Sequence, residues 1–363
     1  MKVLEVITDF NQSGGAERQL LLLAKGLKQR GHEVHIVTAG GDALFEMDNA
    51  GIPYTVLPIH QNTKSWSNFW KSYNGIKKLV RDEGYEIIHS HHRWPAFVVG
   101  VYSWFRKIKT VSTMHVWFTS KGLKAKFSFK QNLIITVSES LKKQLTDNFQ
   151  ISPDEVKVIH NGMAINPDYK DIDINSIYRR FKIPADSFKF LNIGRLTEQK
   201  GQKYLLRAFR EFRETTNTNA SLIIIGSGEL EESLKNKAGE QVFFLGSLPN
   251  NETMALLNDT DVSVLSSLWE GLPMTLIEAG LFSKPMISTN VDGVKEVISS
   301  SAQGVLVPPK DTKALAEAMK KLYEDSELRK KLARNMHRRV ATEFSETKMV
   351  DNYEKAYTKL LQK

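Results

Sequence analysis

Trp269-Glu270-Gly271-Leu272-Pro273-Met274-Thr275-Leu276-Ile277-Glu278-Ala279-Gly280 is the stretch on which the reading of this chain turns. It follows Asp261-Val262-Ser263-Val264-Leu265-Ser266-Ser267, which reads as a short buried strand, and Pro273 suits the first residue of a helix. Glu270 then falls in a strand-to-helix loop and Glu278 inside the helix. At about 100° per residue, Met274, Leu281 and Phe282 lie on the same face as Glu278, so that carboxylate is set among apolar side chains. A charge there is costly unless something binds it. The plain alternative is a structural Glu paired with a basic side chain. Two carboxylates, one at a helix mouth and one on its inner face, can also hydrogen-bond two polyhydroxyl parts of one ligand.

Working outward, strands alternate with helices along the whole chain. Val3–Thr8, His35–Thr38, Tyr54–Leu57, Glu86–His91, Thr110–His115, Asn132–Ser138 and Glu155–Gly162 read as strands and strand exits. Phe188–Leu196, Leu222–Glu229, Val242–Leu248 and Lys284–Thr289 continue the pattern. Such alternation predicts parallel, doubly wound sheets, in which ligands bind beyond the carboxyl ends of the strands. The 363 residues suffice for two domains with full cores, and the stretch from Met163 to about Asp186 loosens into Asn, Asp, Pro and Tyr, the best linker candidate.

Composition narrows the chemistry. The 41% apolar and 25% charged residues suit a water-soluble globular protein, and with no cysteine there is no disulfide, thiolate metal site or cysteine nucleophile. No apolar run approaches the roughly 20 residues that span a bilayer. Met1-Lys2-Val3-Leu4-Glu5-Val6-Ile7-Thr8, with an acid inside its apolar run, reads as a first strand rather than a signal peptide, and the expected home is the cytoplasm.

Glu270-Gly271-Leu272-Pro273-Met274-Thr275-Leu276-Ile277-Glu278-Ala279 resembles the signature of the retaining sugar-nucleotide glycosyltransferases of family 4. That resemblance implies the GT-B fold: two Rossmann-like domains facing a central cleft, with a last helix that crosses back to the first. The implied layout is an acceptor-side domain over 1–168, a linker over 169–186, a nucleotide-sugar domain over 187–345 and a returning helix over 346–363. It further implies that Glu270 contacts the transferred sugar and Glu278 the ribose, with Gly271, Leu272 and Met274 around them.

Other words match in order. Gly14-Gly15-Ala16-Glu17 resembles the family loop that approaches the donor diphosphate, and adjacent glycines at a helix N-terminus do leave amides open to an anion, although tight turns use Gly-Gly as often. Gly194-Arg195 and Lys200-Gly201 resemble the family's diphosphate clamp, in which Arg binds as a fork and Lys as a point charge; a surface ion pair is the alternative. The backbone beyond Gly246 is implied to read the base. His115, at a strand end, aligns with a histidine that reaches the donor sugar, but Val116-Trp117 follows it where the family often has Gly. The catalytic set so implied is Glu270, His115, Arg195 and Lys200, with no metal and no cofactor.

Three patterns compete with this scheme. His89, His91 and His92 invite a metal, but no carboxylate or further His in the run stands at a matching position, so strand-end histidines facing a cleft are expected. Gly226-Ser227-Gly228 hints at a dinucleotide fingerprint whose third glycine is replaced by Glu231. Asp259-Thr260-Asp261 reads as the structural end of a helix, not as a metal motif.

Charge points to a partner. From Gln61 to Gln150 there are fifteen Lys or Arg against five Asp or Glu, which accounts for the whole net charge of +9. Trp66, Trp70, Trp94, Trp104 and Trp117 sit there among Arg93, Arg106, Lys107, Lys109, Lys121, Lys124, Lys126 and Lys130. Basic residues interleaved with Trp suit an anionic membrane surface; a solvated face over core aromatics and single-stranded nucleic acid are the alternatives. The expectation is a transferase peripheral on the inner membrane face, without nucleic acid, moving a hexose or N-acetylhexosamine from a UDP-sugar to a lipid-linked or envelope acceptor. A soluble enzyme acting on a small acceptor and a non-catalytic sugar-nucleotide binder are its rivals.

Overall fold

The computed structural model describes residues 1–11, 14–60, 65–104, 106–116, 127–216 and 218–362. The chain divides into two compact units, Met1–Gly162 with Ser345–Lys363, and Met163–Phe344.

The first unit is a seven-stranded sheet of β1 (Lys2–Val6), β2 (Glu33–Thr38), β3 (Tyr54–Val56), β4 (Ile87–His91), β5 (Lys109–Met114), β6 (Leu133–Thr136) and β7 (Val156–Val158). Its spatial order is β3-β2-β1-β4-β5-β6-β7, with every pairing parallel. The winding reverses between β1 and β4, so the loops leaving those strands diverge and open a crevice at their carboxyl ends. The helix Gly15–Gln29 covers one face with Leu20, Leu23, Ala24 and Leu27.

The last helix, Glu346–Leu361, packs in this unit beside Gly15–Gln29, burying Met349, Val350, Tyr353, Ala356, Tyr357 and Leu360. Gly26 permits the close approach, since a Cβ there would stand 2.4 Å from Val350 Cγ2. Arg30 pairs with Asp351 and, at 2.7 Å, with Glu354.

The second unit holds β8 (Phe188–Ile193), β9 (Ala220–Ile225), β10 (Val242–Gly246), β11 (Val262–Leu265), β12 (Met286–Thr289) and β13 (Val305–Val307). They form one parallel sheet in the order β10-β9-β8-β11-β12-β13, whose reversal lies between β8 and β11. β9 is buried at all six positions, as the continuous apolar runs of a two-sided parallel sheet require.

The residues expected to form a linker, 169–186, belong to this unit. A turn at Pro167–Asp171 leads into the helix Ile174–Phe181, whose Ile177 and Tyr178 join Ile183 in the core, while the Tyr178 hydroxyl donates to Asp259. The chain therefore passes between units at Gly162–Met163 and again at Phe344–Ser345, not at 168 and 187. The one short helical piece that the sequence shows within this stretch is this helix, and its Ile174, Ile177, Tyr178 and Phe181, at i, i+3, i+4 and i+7, form the stripe that docks it on the core of the unit.

Candidate functional site

In the second unit the expected residues gather at the crevice between β8 and β11. The loop after β8 and the loop after β11 are stitched together by their backbones: Leu268 N donates to Gln199 O at 2.7 Å, Gln199 Nε2 to Trp269 O at 3.0 Å, and Ser266 Oγ to Lys200 O at 2.9 Å. Gly201 sits at φ +63°, where a Cβ would also meet Ser266 O at 2.3 Å, so only glycine fits.

That stitching delivers Lys200 to Glu270. Lys200 Nζ donates to Glu270 Oε1 at 2.7 Å and Ser267 Oγ donates to the same oxygen at 2.5 Å. The Glu270 side chain is 6% exposed and that of Lys200 16%. Lys200 keeps further N–H donors, and Oε2 of Glu270 receives none from the described residues. The pair can thus present an anion-seeking ammonium and a hydroxyl-seeking carboxylate oxygen side by side. Arg195, exposed in the same loop, has no ion pair among the described residues, and its carbonyl accepts from Gln202 Nε2 at 3.0 Å.

Glu278 is buried, as its place on the apolar face requires, in the helix Met274–Leu281. Pro273 holds the N-cap position instead of the first helical one. Leu272 and Met274 are half-buried beside it. Gly271 is covered by Gly293, where a Cβ would meet Gly271 O at 2.1 Å. Gly246 ends β10 at φ +67°.

The competing patterns resolve structurally. Gly226 and Gly228 let the loop after β9 lie against the backbone of the loop after β8, a Cβ at either being 2.1 Å from Gly194 O or 2.4 Å from Leu196 O. Asp261 accepts from Lys189 N at 2.8 Å, and Asp259 takes the Tyr178 hydroxyl.

The first unit brings Gly14 and Gly15 to the start of a helix after β1, and His115 to the end of β5. Gly14 is the N-cap without a side-chain cap bond, and the Glu17 carboxylate folds back to within 1.9 Å of where a Gly14 Cβ would be.

His91 closes β4 and His89 lies within it; both are buried, and the carboxylate missing from their run is supplied by β1, where Glu5 lies opposite His89. Glu5 Oε2 accepts from His91 Nε2 at 2.8 Å and stands 2.9 Å from His89 Nδ1. Tyr357, from the last helix, reaches Glu5 Oε1 at 3.2 Å and His89 Nδ1 at 2.6 Å. His89 Nε2 bonds Thr113 Oγ1 at 2.8 Å, which in turn meets the Tyr353 hydroxyl at 3.0 Å. His91 Nδ1 lies 3.1 Å from His115 Nε2, the two rings stacked.

Burial alone would raise the Glu5 carboxyl, but His89 and His91 beside it outweigh burial and hold it at about 2. Burial, then the neighbouring His89, pushes His91 down to about 4 against the pull of Glu5; burial does the same to His92. His115 is held well below the usual range by burial and then by the other histidines. At neutral pH Glu5 is thus a carboxylate, and His91, His92 and His115 are neutral imidazoles. Glu5, His89 and His91 have the donor atoms for a divalent cation within 4.8 Å of one another, yet each donor already serves a hydrogen bond. In sequence Glu5 shows only as an acid inside an apolar strand, itself a signal of a buried partner, and Tyr353 and Tyr357 only as one face of the last helix; their meeting with the histidines is not legible there.

Of the tryptophans expected on a basic face, Trp66, Trp70 and Trp104 are 71%, 54% and 53% exposed, and Lys130 Nζ lies 3.6 Å above the Trp104 ring. Trp94 is core, stacked on Phe97. Trp117, Lys121, Lys124 and Lys126 lie outside the described residues. No described helix is long and apolar enough to cross a membrane.

The family model for glycosyltransferase family 4 matches residues 13–166, and that for glycosyl transferases group 1 matches 173–339. An uncharacterised glycosyltransferase of Methanocaldococcus jannaschii is 29% identical over 349 residues, 89% of this chain and 88% of that one. The capsular polysaccharide biosynthesis glycosyltransferase CapM of Staphylococcus aureus is 27% identical over 92% of both chains. Among solved structures, a glycosyltransferase of Rickettsia africae superposes with a TM-score of 0.84 at 21% identity, covering 99% of this chain and 98% of that one. HepE of Anabaena, in complex with UDP and glucose, does so with 0.82 at 18%, covering 99% and 100%. With two parallel α/β units of matching topology and both family models in sequence order, this chain is a glycosyltransferase enzyme of family 4 with the GT-B fold.

Proposed function

We propose that this enzyme transfers a hexose or N-acetylhexosamine, with retention, from a UDP-sugar to a lipid-linked or cell-envelope glycan at an anionic membrane surface. The observation that carries the donor half is the Lys200–Glu270 pair at the β8/β11 crevice, which offers cation and carboxylate together. Arg195 and Lys200 take the charge that develops on the leaving diphosphate, with the Gly14 and Gly15 amides assigned to the same group. Glu270 and His115 hold the sugar, Glu278 the ribose, and the backbone beyond Gly246 the base. The cationic charge of Arg195 and Lys200 is assigned the work that a metal performs elsewhere, so the reaction asks for none. UDP is favoured by its presence in the Anabaena HepE complex.

The acceptor half rests on the exposed Trp66, Trp70 and Trp104 within a strongly basic segment, and on the capsular role in the name of CapM. Indole rings at the headgroup boundary and lysines over anionic lipid are additive contributions. The test is sedimentation of the full chain with vesicles of phosphatidylglycerol and phosphatidylcholine, alongside transfer of labelled sugar from UDP-sugars to a lipid extract or to water-soluble acceptors. Salt-sensitive sedimentation and label in the lipid phase are expected. Label only in soluble products, with no sedimentation, would replace this reading by a soluble enzyme acting on a small acceptor.

A further inference from the structure

β1, β4 and β5 lie side by side, and residues two apart on a strand share a face. One face of the first sheet therefore carries Glu5, His89, His91, Thr113 and His115, opposite Tyr353 and Tyr357 of the last helix. Protons along this row are not free to choose their places. A carboxylate only accepts, and Glu5 is ionised, so the Nε2 of His91 that lies 2.8 Å from it carries the proton. A neutral imidazole has one ring proton, which leaves His91 Nδ1 as a bare acceptor. His115 Nε2, 3.1 Å away, is then the donor of that contact. His115 is neutral as well, and its own Nδ1 must be the lone pair. That atom is buried and has no hydrogen-bond partner in the structure. His89 can share protons with Tyr357 and Thr113 in either of two ways, and neither alters the proton on His91.

We propose that Glu5 and His91 are positioning residues that lock His115 in its Nε2–H tautomer, so that His115 offers Nδ1 to a hydroxyl and rejects an anionic oxygen. The inference rests on the reading of His115 as a sugar contact and adds the chemical class of what it can touch. An Nδ1 lone pair accepts from a sugar hydroxyl and repels a phosphate oxygen, whereas an Nδ1–H would donate to either. The relay also gives a carboxylate buried inside the sheet a use beyond stability. It sets a proton two rings away, as the partners of metal-bound histidines set theirs.

The direct test is a two-bond proton–nitrogen correlation spectrum of the full chain labelled with nitrogen-15 in its histidines, recorded near neutral pH without donor. His115 is expected to show a protonated Nε2 and a bare, pyridine-like Nδ1. A protonated Nδ1, or an averaged pair of nitrogens, would overturn the proposal, and the wild-type chain suffices to decide it. His91→Asn, whose amide oxygen can stand where Nδ1 accepted, should keep the tautomer and most of the turnover. His91→Phe should release it and lower kcat by about 10- to 100-fold, as loss of an orienting partner does, with donor KM nearly unchanged. Equal kcat in the Asn and Phe variants, with both folded by circular dichroism, would also overturn it. The underlying reading fails separately: wild-type transfer by His115→Ala would remove His115 from the reaction while leaving the tautomer result intact.

Discussion

The two units share one strand order around their central strands and place their charges differently. In the first, Glu5, His89 and His91 are fully buried within the sheet, closed over by Tyr357. In the second, the matching strands are Phe188–Ile193 and Val262–Leu265, where Asn192 donates to Val264 O at 2.8 Å and buried Lys189, at the start of its strand, donates to the Ala185 and Ser187 carbonyls, while the charges at the crevice stand beyond the strand ends as Lys200 and Glu270. The loop-borne Glu270 is buried too, and its bonds to Lys200 and Ser267 offset the cost. Charges inside a sheet cannot meet a ligand, and are tolerated because each has a partner. The same fold thus provides a reactive crevice in one unit and a proton-ordering core in the other.

The largest effect expected from breaking this contrast is catalytic and confined to the second unit. Lys200→Met and Glu270→Gln should each lower kcat/KM for transfer by about 10²- to 10³-fold, the loss typical of one electrostatic contact to a developing charge. Retention of more than a tenth of the wild-type value by both would remove the pair from the reaction.

The next effect belongs to the first unit and depends on pH. His91 and His92 have folded pKa values near 4, below the ordinary histidine value of about 6.5, so the unfolded chain takes up protons first. Their stabilisation is present above pH 6.5 and is lost as pH falls from there towards 4, by a few kcal/mol in all. Five of the six tryptophans lie in this unit, so the urea midpoint followed by tryptophan fluorescence should drop between pH 7 and pH 5. A midpoint unchanged over that interval would mean that the histidines are not buried neutral.

A smaller difference separates two tyrosines. Tyr357→Phe removes a hydroxyl from fully buried Glu5 and His89 and should cost about 1–2 kcal/mol in urea unfolding. Tyr178→Phe in the second unit removes a bond to Asp259, whose side chain is 41% exposed and can turn to water, so its cost should be under about 1 kcal/mol. Reversal of that order would deny the contrast between a sealed and an open polar set. Smallest of all, Arg30→Ala breaks partly exposed ion pairs to Asp351 and Glu354 and should cost less than about 1 kcal/mol.

What the sequence disclosed follows the same division. Glu270, Glu278, Lys200 and Arg195 each lie in a short stretch whose strand, loop and helix are read locally, and the structure brings the first three into or beside one crevice. The Lys200–Glu270 bond itself spans 70 residues and could not be read. The first unit's network joins Glu5 to His91 over 86 residues and to Tyr357 over 352. The β1–β4 register makes the first of these distances short, and the packing of the last helix on the sheet the second. Glu5 was legible as an oddity in an apolar run, but its partner was not, and His89 and His91 were legible only as histidines at a strand end, without the carboxylate that faces them. The helix Ile174–Phe181 passed for part of a linker because the stretch around it is rich in Asn, Asp and Pro, although Ile174, Ile177, Tyr178 and Phe181 carry the helical period that packs it on the core.

The central claim is that the second unit's crevice holds a nucleotide sugar. The measurement that tests it most directly is isothermal titration of UDP, GDP and ADP into the wild-type chain and into Glu278→Ala and Arg195→Ala. The account predicts that UDP binds the wild type and that both variants bind it at least about tenfold more weakly, a loss of about 1.4 kcal/mol each. UDP binding with equal affinity to all three, or no binding of any nucleotide to the wild type, would contradict it.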